Sequence, residues 1–174
     1  MHLRATIAVS AASAATAALL LTAPQSQAAT GRAPASPCAE KALTVRAKAV
    51  AADRTVVRMS VTNRGARACA VDRVPTVTFG DLDGAALPVP AGGAAAYRLA
   101  AGGTAYADVR TIGDPADPEA RRTDSLTVAA SAAHWGRSFT AARLGTGRKV
   151  LVWEPVTTWW KASAAAADRA IGLS

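Results

Sequence analysis

The sequence predicts an all-β fold, an immunoglobulin-like antiparallel β-sandwich with one end-stapling disulfide and a short C-terminal helix. Three observations predict it. Apolar and polar residues alternate with period two in short runs. Turn residues punctuate those runs about every eight to twelve positions, and no helical pattern alternates with the strands as a βαβ fold requires.

Residues 1 to 28 read as a signal peptide. Arg4 supplies positive charge ahead of an uncharged apolar run from Ala5 to Ala23. Pro24 and the small-residue stretch Ser26-Gln27-Ala28 follow, placing cleavage after Ala28. The competing reading is a retained anchor, but the run is barely long enough to span a bilayer. No later stretch is apolar enough to cross, so the mature chain is expected to carry no transmembrane span. Cys38 lies too far beyond the apolar run to be a lipid-attachment cysteine. Residues 29 to 37, ATGRAPASP, lack periodicity and read as a flexible lead-in.

The sandwich is expected over residues 38 to 155. Leu43, Val45, Ala47 and Ala49 alternate with Thr44, Arg46 and Lys48 as a half-buried strand. After a turn at Ala51 to Arg54, the run TVVRMSVTN puts Val57, Met59 and Val61 on one face and Arg58, Ser60 and Thr62 on the other, pairing back as a hairpin. Asn63-Arg64-Gly65 closes it with residues able to adopt positive φ. A third strand is expected from Val74 to Phe79, with Pro75 near its start, and then a turn at Asp81 to Gly84. Short strands follow around Leu87 to Val89 and Tyr97 to Leu99, separated by a Gly92-Gly93 loop. Gly102-Gly103 turns the chain into TAYADVRT, where Ala105, Ala107 and Val109 oppose Tyr106, Asp108 and Arg110. Beyond the Pro- and charge-rich loop GDPADPEARRTD, the runs SLTVAASA, RSFTAARL and KVLVWE read as three more strands. Residues 156 to 174 form a helix or tail, capped at Thr157 or Thr158 and ended by Gly172, with Trp160, Ala164, Ala167 and Ile171 on one face.

One core suits a chain of 174 residues that loses a leader. Its two cysteines, Cys38 and Cys69, both lie in the exported part, where an even count reads as one disulfide. A metal pair is the rival reading, without C-x-x-C spacing. The bridge is expected to pin one end of the sandwich and the incoming chain. The formal charge of +8 favours anionic neighbours. Anionic cell-envelope polymers, acidic lipid headgroups or another envelope protein are the expected partners of an exported monomer, and nucleic acid is not.

The segments carrying Cys38, VTNRGARACAVDRVPTVTFGDLDGAALP and YRLAAGGTAYADVR resemble the secreted actinobacterial domain of unknown function 4232 over residues 38 to 112. The matching positions are Thr62, Asn63 and Gly65, then Cys69, Pro75 and Val77, then Asp81 and Gly84, then Gly102, Gly103 and Ala105. The resemblance implies an extracytoplasmic, sandwich-like domain without an assigned activity. Arg73-Val74 departs from the family pattern, and a second cysteine pair found in many members is missing.

Catalytic chemistry has little to work with. His134 is the only histidine beyond the leader, there is no G-x-S-x-G turn, and a bridged thiol is no nucleophile. Asp114, Asp117, Glu119 and Asp124 offer oxygens that suit Ca²⁺, opposed by Arg121 and Arg122, so a solvated turn competes with a cation site. Asp81 and Asp83 suit hairpin chemistry better than a glycosidase pair. Met59 belongs to a core face and not to a copper site. No catalytic, cofactor-binding or metal-ligating residue is therefore assigned. Trp159 and Trp160, with Arg121 and Arg122, form the candidate interaction surface, and the rings closing one end of the sandwich is the competing reading.

These readings converge on a non-enzymatic binding or interaction module of the cell envelope. The alternatives are an exported enzyme with an unrecognised carboxylate and arginine site, or a small secreted protease inhibitor presenting the loop from Gly113 to Thr123.

Overall fold

Alternation of apolar and polar residues sets the first hairpin. Strands β1 (Leu43–Val50) and β2 (Asp53–Asn63) pair in antiparallel register from Leu43 opposite Asn63 to Ala49 opposite Val57. Val57, Met59 and Val61 thereby face inward and are fully buried. The turn shrinks to Ala51-Ala52, because the Asp53 carboxylate accepts bonds from the Thr55 amide (2.9 Å) and hydroxyl (2.6 Å) within the strand. The structure is a computed structural model that describes residues 35–92 and 95–173. The expected signal peptide, most of the lead-in and Gly93 lie outside the described residues.

The expected turn at Asn63-Arg64-Gly65 uses no positive φ. Asn63 makes it with its side chain instead: Nδ2 donates to the carbonyls of Arg67 (2.8 Å) and Ala100 (3.1 Å), and Oδ1 accepts from the Gly65 amide (2.8 Å). Cys69 then lies on a strand, β3 (Cys69–Asp72), too short to show a period. The expected third strand splits off as β4 (Thr76–Phe79), starting after Pro75, which has no amide to offer a ladder. The turn at Gly80-Asp81 leads into β5 (Leu82–Ala85), where a four-residue turn was expected. β6 (Leu87–Val89), β7 (Ala96–Leu99) and β8 (Thr104–Arg110) follow at their expected places.

The Pro-rich loop ends in β9 (Arg121–Thr123), before β10 (Ser125–Ala129) and β11 (Arg137–Thr140). Gly136 between the last two has φ +77, and a Cβ there would stand 2.6 Å from the Val128 carbonyl oxygen, so only glycine fits. The strand expected over RSFTAARL stops at Thr140, whose hydroxyl caps the short helix α1 (Ala141–Leu144). β12 (Val150–Val152) and β13 (Val156–Thr158) come next. The C-terminal helix α2 (Ala164–Ile171) therefore starts later than expected: Ser163 caps it, and residues 156 to 158 belong to the sheet. Gly172 ends it in the left-handed conformation, as its position predicts.

Two larger sheets result, in the orders β1-β2-β8-β13-β6 and β11-β10-β4-β5, with two small ladders, β12-β9 and β3-β7. Every ladder is antiparallel except β6 with β13. One core gathers Val57, Met59, Val61, Ala105, Ala107 and Val109 from the first sheet and Val77, Phe79, Leu126, Val128 and Phe139 from the second. Cys38 and Cys69 are bridged, and the Cys38 amide donates to the Ala70 carbonyl (2.8 Å), so the staple ties the incoming chain to β3. Replacing both cysteines by serine should lower the unfolding free energy by about 3 to 4 kcal/mol, the loop-closure entropy of this separation. Urea unfolding of the purified variant measures it, and an unchanged midpoint would show the staple to be dispensable.

Candidate functional site

An open groove of about 840 Å³ runs along β1, the outer strand of its sheet. The pleat of β1 places Arg46 and Lys48 on the outer face, beside Ser60 and Arg58 of β2. Val45 and Ala47 point the other way and pack against the core. The far wall comes from the second sheet: Arg137 and Phe139 on β11, and Arg143 on α1. The Arg137 guanidinium sits 5.5 Å from the Phe139 ring centroid. Five cationic side chains line the groove and no acidic one does.

Arg58 differs from the other four. It reaches under α2, where it pairs with Asp168 and its Nε stands 3.4 Å from Asp108 Oδ1. Sequence alternation sets Asp108 on the face opposite Ala105, Ala107 and Val109, and its side chain there is 0% exposed. Helix α2 lies across β8 and β13, with Ala167 and Ile171 buried against them, and it covers Asp108. Arg110 locks the other end of the helix, donating to the Ile171 carbonyl (3.2 Å) and pairing with Asp53 (2.8 Å). At Asp53 partial burial raises the carboxyl, but the hydrogen bonds from Thr55 and Arg110 outweigh it and hold the group below its ordinary value.

Neither Asp108 oxygen has a hydrogen-bond donor. A proton on Asp108 lets it share a hydrogen bond with Asp168. Burial, reinforced by that bond, pushes Asp108 up to about 7, against the opposing pull of Arg58. The result is a carboxyl pair and an arginine held in a helix-to-sheet seam. Nothing in local sequence marks it, because Asp108 and Asp168 meet only when the terminal helix folds back.

The expected surface residues differ in exposure. Trp160 is 3% exposed and belongs to the core, its indole N–H donating to the Ala130 carbonyl (3.4 Å). Trp159 is half-buried, donates to the Pro90 carbonyl (3.0 Å) and lies between Arg73 and Lys161, whose cationic groups sit 4.3 and 5.7 Å from its ring. Arg121 and Arg122 are exposed on β9, where Arg121 lines a cavity of about 240 Å³ with Trp153 and Glu154. The Trp that does project is Trp135, 93% exposed, in a turn whose amides at 135 and 136 donate to the Glu40 carboxylate. His134 stands 3.1 Å from the Cys38 carbonyl oxygen through Nε2.

In the acidic loop, Asp114 and Asp117 accept the amides of Ala116 (2.9 Å) and Glu119 (2.8 Å), and Asp124 pairs with Lys149 (2.7 Å). These carboxylates are engaged by their own surroundings. Among the described residues no three His, Cys, Asp or Glu side chains gather as a metal site requires, and no helix is long and apolar enough to cross a membrane.

A family model described as Domain of unknown function (DUF4232) matches residues 38–160, extending the resemblance past the segment in which its motifs stand. No curated protein matches, and no solved structure does.

The seam has a pH signature. Between the ordinary aspartate value and about 7, folded Asp108 keeps a proton that the unfolded chain releases, so its contribution to stability falls as pH rises and levels off above about 7. Asp53 acts oppositely and below that window, losing its contribution as pH falls through its lowered value. Asp108→Asn keeps the shape without the ionisation. Urea unfolding at pH 5 and pH 8 should show wild type losing roughly 1 to 2 kcal/mol more than the variant over this interval. Parallel pH profiles for the two proteins would mean that Asp108 does not titrate there.

Proposed function

We propose, from the premise that the chain belongs to the DUF4232 family, that it is an extracytoplasmic, non-enzymatic interaction module that holds an anionic partner of the cell envelope in the groove along β1. The observation that carries this reading is the groove itself: five cations and no carboxylate on an open surface. Such a site concentrates anions, and its attraction is screened by salt. The disulfide and the signal-peptide pattern of residues 1 to 28 support an exported protein, and the +8 charge supports an anionic partner.

A second reading, an exported enzyme, has the Asp108 and Asp168 pair with Arg58 in its favour. A carboxyl pushed up to about 7 can exchange a proton near neutrality. Asp108 itself is buried beneath α2 and does not line the groove, which favours a structural role. Substrate needs a path to the acid.

Two quadruple variants of equal charge test the groove. Arg46, Lys48, Arg137 and Arg143 changed to alanine should release the protein from immobilised polyglutamate at about half the salt that wild type requires. Arg54, Arg121, Arg122 and Arg148 changed to alanine should leave elution near wild type. Equal losses in both would replace the groove with diffuse surface charge.

A further inference from the structure

β1 ends the five-stranded sheet: one side is bonded to β2, and no strand lies on the other among the described residues. From Thr44 to Val50 its outward N–H and C=O groups take no backbone partner beyond the sheet. The same residues line the groove, with α1 packed beside the strand. Unpaired rows of this kind accept an added strand, and cells guard them because the added strand is often another copy of the same chain.

Here the guard is selective. A second copy pairing β1 with β1 would bring Arg46 and Lys48 against their own counterparts, and like charges facing across a ladder destabilise it. An acidic strand would meet the same side chains with opposite charge. The pleat extends the match to both faces of the incoming segment. Its residues alternate sides, so one set lies beside Arg46 and Lys48 and the other beside Arg137, Phe139 and Arg143 on the opposing wall. A flexible sugar-phosphate polymer could satisfy the cations and would leave the backbone row unused.

We infer that the groove takes an extended acidic polypeptide segment, which binds by adding a strand to β1. The inference rests on the groove being the interaction surface proposed above. Its affinity comes from main-chain hydrogen bonds to β1, and its selectivity from carboxylates on one face set against Arg46 and Lys48, while the other face lies along Arg137, Phe139 and Arg143.

A fluorescent peptide of about eight residues, alternating Glu and Val, probes this by anisotropy. The wild-type chain should bind it, and N-methylation of alternate peptide residues, which removes backbone donors without changing charge, should weaken binding at least about tenfold. Amide exchange should slow at Thr44 to Val50 when peptide is present. Arg46→Glu with Lys48→Glu should abolish binding and accept the peptide with Lys in place of Glu, and an unchanged thermal midpoint verifies its fold. Equal binding of the methylated peptide overturns strand addition and leaves the cationic groove standing. So does retention of polyglycerol phosphate without retention of the peptide. Failure of wild type to hold either probe at low salt overturns both proposals.

Discussion

Strand β8 occupies the middle of the five-stranded sheet and is covered on both faces. Ala105, Ala107 and Val109 pack against the opposing sheet, while Asp108 lies under α2. Double coverage dictates much else. Small residues on the inner face let the sheets approach over Val128 and Leu126. On the outer face a carboxyl must leave water, and the chain meets that cost with Arg58 on the neighbouring strand and Asp168 on the helix. A short Ala-rich helix has too little internal stability to form alone. It is held by Ala167 and Ile171 against the sheet, by the Ser163 and Gly172 caps, and by Arg58 and Arg110 reaching from β2 and β8.

The same sheet has no further strand at β1 among the described residues. The short helix α1 packs beside this outer strand without bonding its backbone row, and residues of β1 line the groove. Arg58 links the two regions. Its guanidinium lines the groove and also pairs with Asp168, so the charge available to a ligand comes chiefly from Arg46, Lys48, Arg137 and Arg143. Removing α2 would uncover Asp108 and release Arg58 at once. Helix and groove are coupled through that one side chain.

The disulfide works elsewhere, at the β3 and β7 ladder, where sheet pairing is short. There the incoming segment is held by backbone bonds of Cys38 and Ser36 to Ala70 and by His134 at the Cys38 carbonyl, and the covalent link adds to these few contacts. Glu40 adds to this by accepting the amides at Trp135 and Gly136. The start of the domain is thus tied to a turn far along the chain.

By itself the sequence determined the all-β class, the hairpin of β1 and β2, the inward faces of β2 and β8, the paired cysteines and the helix end at Gly172. Each follows from local physics: period-two burial, a redox-permissive cysteine count, a left-handed cap. β6 and β7, though short, were legible between their turns, but β3, β5, β9 and β13 were not, because a period cannot be read in so short a run and partner strands define them. The site was hidden for a related reason. Arg46 and Lys48 read as a solvated face, and only tertiary packing sets Arg137 and Arg143 across from them. The burial of Asp108 was not legible because alternation tells which residues share a face and not what covers it. The return of the terminal helix onto β8 decided that, and it joins residues far apart in the chain through contacts that no local pattern encodes.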